Sequence, residues 1–161
     1  MKREAIEFVN SLVGRKLVSL CCEAEILDFD FAPLVLHGMG CSRVIKNNDI
    51  LITTMDYQSW DGEDSTHNDE WFNVKKFNSE IVGGTVISVE VSPCDDLRVY
   101  LDNGVTIECL IANAYPNYEE AHEQWVLFEA SKDQRGYPGT FLTVYNKNAN
   151  FNVPANLELH L

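Results

Sequence analysis

The sequence predicts an α+β protein that is mainly β and is built from two similar halves. Three observations lead to this prediction: most apolar residues alternate with polar ones, helical spacing of apolar residues occurs in two places, and one early segment returns in the second half. Alternation is typical of half-buried strands, and a 3.6-residue spacing is typical of amphipathic helices. We expect each half to hold a short helix and an antiparallel meander, packed as a sandwich or a partly open barrel.

The repeated segment is FVNSLVGRKLVSL at residues 8–20, which returns as FNSEIVGGTVISV at residues 77–89. At this shift of 69 residues, four of the thirteen positions are identical and four more are conservative replacements. The apolar pattern continues to match as short insertions increase the shift, in the pairs Leu27 and Leu97, Leu36 and Ile107, Ile50 and Trp125, and Ile52 and Leu127. The alternative is two unrelated meanders, because all meanders alternate in this way.

Each half opens with a predicted helix that ends at a glycine. Apolar side chains recur at helical spacing over residues 3–13 and Gly14 follows; residues 70–81 show the same spacing, with Gly83 shortly after. Glycine adopts the positive φ that commonly ends a helix, at little steric cost. We expect positive φ at both glycines, and a strand after each helix.

Alternation then predicts a series of strands, at residues 16–22, 24–31, 42–46, 49–53, 87–91, 97–101, 105–111, 124–130 and 140–145. The first strand of each half should turn alternate residues toward the core, in the sets Val18, Leu20 and Cys22, and Ile87, Val89 and Val91. Asp-Asn-Gly at 102–104 predicts a tight hairpin turn. Ala32 and Pro33 stand in the same place in the first half, without a glycine.

The chain of 161 residues has the length of one domain made of two small halves. We place the first half at 1–54, a linker at 55–69, the second half at 70–145, and a tail at 146–161 that packs on the same domain. The linker is polar and acidic, so we expect it to be mobile. Phe151 and Val153 should hold the tail on the surface, and alternating leucines near its end favour an edge strand.

The net charge of −13, spread over both halves, bears on the class of partner. Negative charge repels phosphates, so binding to nucleic acids and to anionic membranes is disfavoured. The same charge attracts a basic protein, although solubility alone also explains it. No run of eighteen apolar residues occurs and the charged N-terminus is unlike a secretory signal, so we expect a cytoplasmic protein.

Five cysteines without a Cys-x-x-Cys pair indicate reduced thiols rather than a disulfide framework or a metal site. A zinc site would have to use Cys21, Cys22, Cys41 and His37, whose spacing lacks paired ligands. The acidic run at 61–64 does not fit a calcium loop, and no phosphate-binding or nucleophile motif is present. We expect no cofactor and no metal, and enzymatic activity stays an open alternative.

One surface segment, residues 115–123, is an insertion relative to the first half and is our predicted partner-binding site. Its tyrosines are favoured interface anchors, and its glutamates suit a basic partner. The predicted anchors are Tyr115 and Tyr118, and the predicted rim is Glu119, Glu120 and Glu123. The alternative is a short capped helix whose tyrosines fold back on the sheet.

The opening LVGRKLVSL at residues 12–20, followed by an alternating strand, resembles a family of small bacterial proteins with an L-V-G-R-x-L-x-x-V start. Such proteins are found among the immunity proteins of polymorphic toxin systems. The resemblance covers residues 12–36 and, through the repeat, 81–111. It implies no catalytic residues, and the second copy has Gly84 where the first has Arg15.

The sequence therefore favours a non-enzymatic binding module, of the immunity type, with a basic protein partner. The alternatives are a small-ligand-binding β domain and an enzyme of unrecognised type. A deep apolar pocket with convergent polar groups would favour a small ligand. An acidic face with exposed aromatic side chains would favour the binding module.

Overall fold

The structure is a computed structural model that describes residues 1–117, 122–130 and 139–153. It is an α+β protein, mainly β, with two antiparallel sheets packed on each other, which confirms the predicted fold class. The helices are α1 Arg3–Asn10, a 3-10 helix at Thr54–Ser59, and α2 Asp69–Ile81. The strands are β1 Ser19–Glu23, β2 Ile26–Asp30, β3 Leu34–Gly38, β4 Cys41–Lys46, β5 Asp49–Thr53, β6 Val86–Val91, β7 Leu97–Leu101, β8 Val105–Leu110, β9 Glu123–Glu129, β10 Phe141–Tyr145 and β11 Ala149–Asn152.

The two halves exchange strands. One sheet has the order β1-β2-β3-β9-β10-β11, and the other has the order β5-β4-β8-β7-β6. Each half therefore builds a three-stranded meander and then sends a hairpin into the other sheet, β4–β5 from the first half and β9–β10 from the second. Because β3 pairs with β9 and β4 pairs with β8, both sheets contain strands of both halves.

The segments that connect each helix to its strand meet at an isolated antiparallel bridge between Lys16 and Thr85, two positions that the shift of 69 residues aligns. Four backbone hydrogen bonds surround this bridge and form two pairs related by the same shift. In the first pair, Gly14 N donates to Val86 O (2.8 Å) and Gly83 N donates to Leu17 O (2.9 Å). In the second pair, Leu17 N donates to Gly84 O (2.9 Å) and Val86 N donates to Arg15 O (2.8 Å). Positions aligned in the sequence thus make equivalent contacts in space.

The sequence match of Ile52 with Leu127 is wrong. In the sheets, Leu127 lies opposite Leu36, and Val44 lies opposite Ile107. Leu36 and Ile107 are a matched pair in the sequence repeat. Their cross-strand partners, Leu127 and Val44, therefore occupy equivalent positions, so β9 corresponds to β4 rather than to β5. Both strands of a hairpin alternate, so the pattern alone did not distinguish them.

The predicted inward faces of β1 and β6 need a second correction. Val18 and Ile87 are 46% and 59% exposed, while the residues just before them, Leu17 and Val86, are fully buried. The register of β6 against β7 shifts between Val86 and Ser88. Such an irregularity turns successive side chains of β6 to the same face, so strict alternation failed at Ile87, whereas Leu20, Cys22, Val89 and Val91 contact the core as predicted.

A single hydrophobic core lies between the sheets and draws on both halves. Trp125 and Phe29 are among its largest fully buried side chains, and Trp125 Nε1 donates a 2.9 Å hydrogen bond to the Asp95 carbonyl. All five cysteines are free thiols, with Cys109 buried in the core and Cys22 half-buried against it. The helices contribute the buried side chains of Ala5, Val9, Val74 and Ile81.

The predicted hairpin at 102–104 is confirmed, because β7 pairs with β8 and Gly104 has a φ of 82°. In the first half the corresponding turn contains a cis Ala32–Pro33 peptide. The tail forms β11 beside β10, and the Phe151 ring lies 5.7 Å from that of Phe8. Val153 is exposed instead of packed, and the leucines beyond it lie outside the described residues.

The segment that we expected to be a mobile linker has defined structure. The 3-10 helix begins with a capping box in which the Thr53 side chain accepts from the Met55 amide and the Asp56 carboxylate accepts from the Thr53 amide. The Asn68 side chain then caps α2 by accepting from the Trp71 amide at 2.9 Å. Each end of the segment is thus joined to a regular element by a side-chain cap.

Gly83→Ala is expected to lower the free energy of unfolding by about 1 kcal/mol. Gly83 has a φ of 102°, in the left-handed region, and an added Cβ would meet no atom within 4 Å, so the cost comes from backbone strain alone. Urea unfolding of the purified variant measures the effect. Gly83→Asn is the control and should cost less, because asparagine tolerates this conformation. Equal stability of the wild type and the alanine variant would contradict the prediction.

Candidate protein-binding surface

The 3-10 helix, the loop after it and the start of α2 form a surface that combines carboxylates with exposed aromatic rings. Residues 54–72 contain six Asp or Glu side chains and four large aromatic side chains, but no Lys or Arg. We call this the acidic–aromatic surface, and define it by the exposed residues Glu23, Glu25, Trp60, Asp61, Glu63, Asp64, Asp69 and Phe72. Glu23 ends β1 and Glu25 lies in the β1–β2 turn, which contacts the segment.

Two aromatic side chains on this surface are available for contact. Trp60 is 42% exposed and Phe72 is 44% exposed. Trp60 stacks on Tyr57 with ring centroids 5.8 Å apart, and Phe72 meets the edges of Trp71 and His67 at 5.6 and 5.5 Å. Because neighbouring rings hold them in position, these side chains lose little further freedom when a partner covers them.

The loop between the 3-10 helix and α2 holds its carboxylates in the charged form. Asp61 accepts hydrogen bonds from the amides of Glu63 (2.9 Å) and Asp64 (3.2 Å), and His67 Nδ1 lies 2.6 Å from its other oxygen. These backbone hydrogen bonds, followed by the His67 contact, lower the pKa of Asp61. Hydrogen bonds from the amide and hydroxyl of Thr66 likewise lower the pKa of Asp64. Both residues therefore carry negative charge at neutral pH.

The β1–β2 turn joins this segment through a hydrogen bond from the Gln58 side chain to the Glu25 carboxylate. On the other side of Glu25, an open cleft of about 530 Å³ is lined by Glu25, Tyr57, Met39 and Glu123. The structure thus brings Glu123, one of the predicted rim residues, to the border of the acidic–aromatic surface.

The segment that holds the other predicted site residues connects β8 to β9. The connection between β3 and β4 is residues 39–40, whereas that between β8 and β9 is residues 111–122, so the segment is an insertion in the second half. Tyr115 is exposed, and its ring lies 5.4 Å from that of His122. Tyr118, Glu119 and Glu120 lie outside the described residues. The predicted site at 115–123 remains a prediction.

Sequence reasoning missed Trp60 and Phe72 as candidate contact residues. It placed Trp60 in a linker and treated the α2 segment only as a helix with an apolar face. The signal that was available is the combination of six carboxylates and four aromatic side chains, without a basic residue, over residues 54–72. Solvated linkers seldom carry large aromatic side chains, so this combination favours a surface that contacts another molecule.

A buried carboxyl group lies beneath the surface. Glu70, in the first turn of α2, is only 1% exposed, and its Oε1 is buried without a hydrogen-bond partner. Burial, reinforced by the nearby carboxylates of Asp56 and Glu25, raises the pKa of Glu70 to about 8. Glu70 and Cys22 line a pocket of about 270 Å³, and burial followed by the charge of Glu70 raises the pKa of Cys22 to about 12.

The outer face of the second sheet carries a charge ladder that is already compensated. Glu108 lies between Arg43 and Arg98 in register, and its two oxygens accept from the two guanidinium groups. Burial favours a higher pKa for Glu108, but the two arginines outweigh it and the pKa is lowered. Cross-strand opposite charges of this kind stabilise a sheet, so we assign this cluster a structural role.

A second cluster, on the first sheet, contains residue types used in catalysis but in an unsuitable arrangement. Asp28 Oδ2 lies 3.3 Å from His37 Nε2, and Asp28 stands in register between His37 and Cys21. Burial, followed by the charges of Asp28 and its acidic neighbours, raises the pKa of Cys21. The thiol thus faces carboxylates and stays protonated, whereas a nucleophilic cysteine needs a positive neighbour. Among the described residues, no three His, Cys, Asp or Glu side chains group closely enough to hold a metal ion.

No protein-family model matches this sequence, and the comparisons with curated proteins and with solved structures give no significant match. None of the helices in the described ranges has the length and apolar character needed to cross a membrane.

Proposed function

We propose that the protein is a non-enzymatic binding module of the immunity type whose acidic–aromatic surface binds a basic protein. The observation that carries the proposal is the exposure of Trp60 and Phe72 among carboxylates in a segment that has no Lys or Arg. Aromatic side chains supply much of the binding energy at interfaces, while complementary charge supplies specificity and a fast association rate.

The charge of the partner follows from the charge of the chain. A net charge of −13 repels phosphate backbones, which disfavours nucleic acids, and it attracts a basic protein. Asp61 and Asp64 have lowered pKa values, so the attraction persists at neutral and mildly acidic pH. Because free thiols persist in reducing compartments, the five free cysteines support a cytoplasmic location.

The alternative of a small-ligand site has less support. A ligand pocket is normally a deep apolar cavity with a few convergent polar groups. The cleft beside Glu25 and an apolar groove of about 370 Å³ beside Leu20 and Trp71 are both open, and the pocket beside Glu70 is smaller than a typical ligand site. A further cavity of about 360 Å³ beside Ala5 and Phe151 has a mixed rather than an apolar lining. We therefore favour a partner that covers the surface over a ligand that enters it.

The test is capture of the partner from the native organism with the purified protein, followed by binding measurements at low and high salt. We expect Trp60→Ala with Phe72→Ala to weaken binding at least a hundredfold, as for interface hot spots. Neutralising Glu23, Glu63 and Asp69 as Gln, Gln and Asn should mainly slow association and reduce its salt dependence. Tyr115→Ala measures how far the predicted 115–123 site contributes.

The matched control neutralises three exposed carboxylates outside the surface, Glu4, Asp49 and Glu80. It changes the net charge by the same amount, so it separates local charge complementarity from the overall field of the protein. An acidic partner, unchanged affinity in the aromatic double variant, or equal effects of the two charge variants would contradict the proposed function.

A further inference from the structure

We propose that the pocket lined by Glu70 is a subsite for one cationic side chain of the partner, an arginine guanidinium or a lysine ammonium, with Glu70 as its buried counter-charge. The inference rests on the proposed function, because it specifies the chemistry that the acidic–aromatic surface recognises at one point.

The unpartnered oxygen of Glu70 is the first observation. Glu70 is 1% exposed, and its Oε1 is buried and accepts no hydrogen bond. Buried polar atoms in native proteins almost always have a partner, since an unsatisfied one destabilises the fold. Because Glu70 is also one of the residues that line a pocket, we take its carboxyl group as the acceptor for a donor that arrives with a ligand.

The size and lining of the pocket are the second observation. It has a volume of about 270 Å³, which suits the end of one side chain and is below the usual range for a small-molecule site. Besides Glu70, its walls include Cys22 and Glu23 on one side and Thr66, Asn68 and Trp71 on the other. Trp71 contributes an aromatic wall.

The charges around Glu70 determine whether the pocket would bind a cation or an anion. Among the described residues, the titratable groups that face it are Cys22 and Glu23 on β1, Glu25 in the β1–β2 turn, and Asp56 on the 3-10 helix. Lys75, also on α2, places its Nζ 4.3 Å from the centre of the Trp71 ring. A bound cation would relieve the repulsion among these carboxylates, whereas an anion would increase it.

The experiment is a titration of the full chain at pH 9, above the pKa of Glu70, followed by carbon-detected nuclear magnetic resonance of the backbone amide nitrogens, because amide protons exchange rapidly with water at this pH. The probes are N-acetyl-arginine amide, N-acetyl-lysine amide and the neutral analogue N-acetyl-citrulline amide. We expect saturable shifts of the Cys22, Thr66 and Trp71 amides with at least one cationic probe and none with citrulline. Comparison of the arginine and lysine titrations shows whether the pocket prefers a guanidinium or an ammonium group.

Glu70→Gln should weaken this binding at least tenfold, because the side chain keeps its size and loses its charge. Glu80→Gln is the matched control, an exposed carboxylate on the same helix but outside the acidic–aromatic surface, and should change it less than twofold. The inference is overturned if neither cation gives saturable shifts, if Glu70→Gln binds equally well, or if both variants weaken binding alike.

The failure of this inference and that of the proposed function can be told apart. If a basic partner binds with the expected dependence on Trp60 and Phe72 but the probes do not bind the pocket, only the subsite is wrong. If arginine or lysine amide binds the pocket in a Glu70-dependent way but the captured partner is acidic, the subsite stands and the proposed function is wrong.

Discussion

Glu70→Gln is expected to raise the free energy of unfolding by up to several kcal/mol at pH 9 and by less than about 1 kcal/mol at pH 5. The carboxyl of Glu70 has a pKa of about 8 in the folded protein and an ordinary value of 4.5. Between these values the folded chain keeps a proton that the unfolded chain has lost, so wild-type stability falls as the pH rises. Each pH unit in this window is worth about 1.4 kcal/mol, and above it the loss is complete.

Glutamine fills the same space and does not titrate, so the stability difference between the variant and the wild type isolates the contribution of this group. Urea unfolding in a series from pH 5 to pH 9 measures it, and the difference should grow through the window to at most about 5 kcal/mol. Glu63→Gln, which removes an exposed carboxylate, should change stability by less than about 0.5 kcal/mol throughout. A difference for Glu70→Gln that does not vary with pH would contradict the prediction.

Separating the two halves is expected to abolish folding of each half as a monomer. In a fragment of residues 1–62, β3 loses its partner β9, β4 loses its partner β8, and α2 no longer covers the core. Two central strands become exposed edges, and such edges favour association or aggregation over a stable monomer. Circular dichroism and sedimentation of fragments 1–62 and 63–161 should show no folded monomer, and mixing the two should restore the native spectrum.

The control is the full chain with a protease site inserted after Gly62, an exposed glycine with a φ of 86°. Once cleaved, it should stay folded, because the strand pairings that join the halves do not need the peptide bond. Because the two halves have corresponding strand orders, two copies of one fragment can exchange hairpins in the same way as the two halves do. A dimer of either fragment would therefore be consistent with the prediction. A folded monomer of residues 1–62 would contradict the prediction.

The class of the fold and most of its elements followed from local patterns in the sequence. Gly14 and Gly83 both have positive φ, as predicted from their places after helical patterns, and the Asp-Asn-Gly turn joins β7 to β8. Helix ends and tight turns depend on residues that are neighbours in the chain, so the sequence carries their signals directly. The exposed position of Ile87 was not predictable, because a shift of register leaves no mark on an alternating pattern.

The candidate surface was likewise predictable from the sequence only in part. The sequence by itself determined the mainly β class, the strong negative charge and the concentration of carboxylates and aromatic side chains over residues 54–72. The tertiary structure alone decided that each half completes the sheet of the other, that Glu25 and Glu123 border this segment, and that Glu70 is buried without a partner. The physical reason is that strand exchange and burial arise from contacts between residues far apart in the chain, and such contacts leave no period in the sequence.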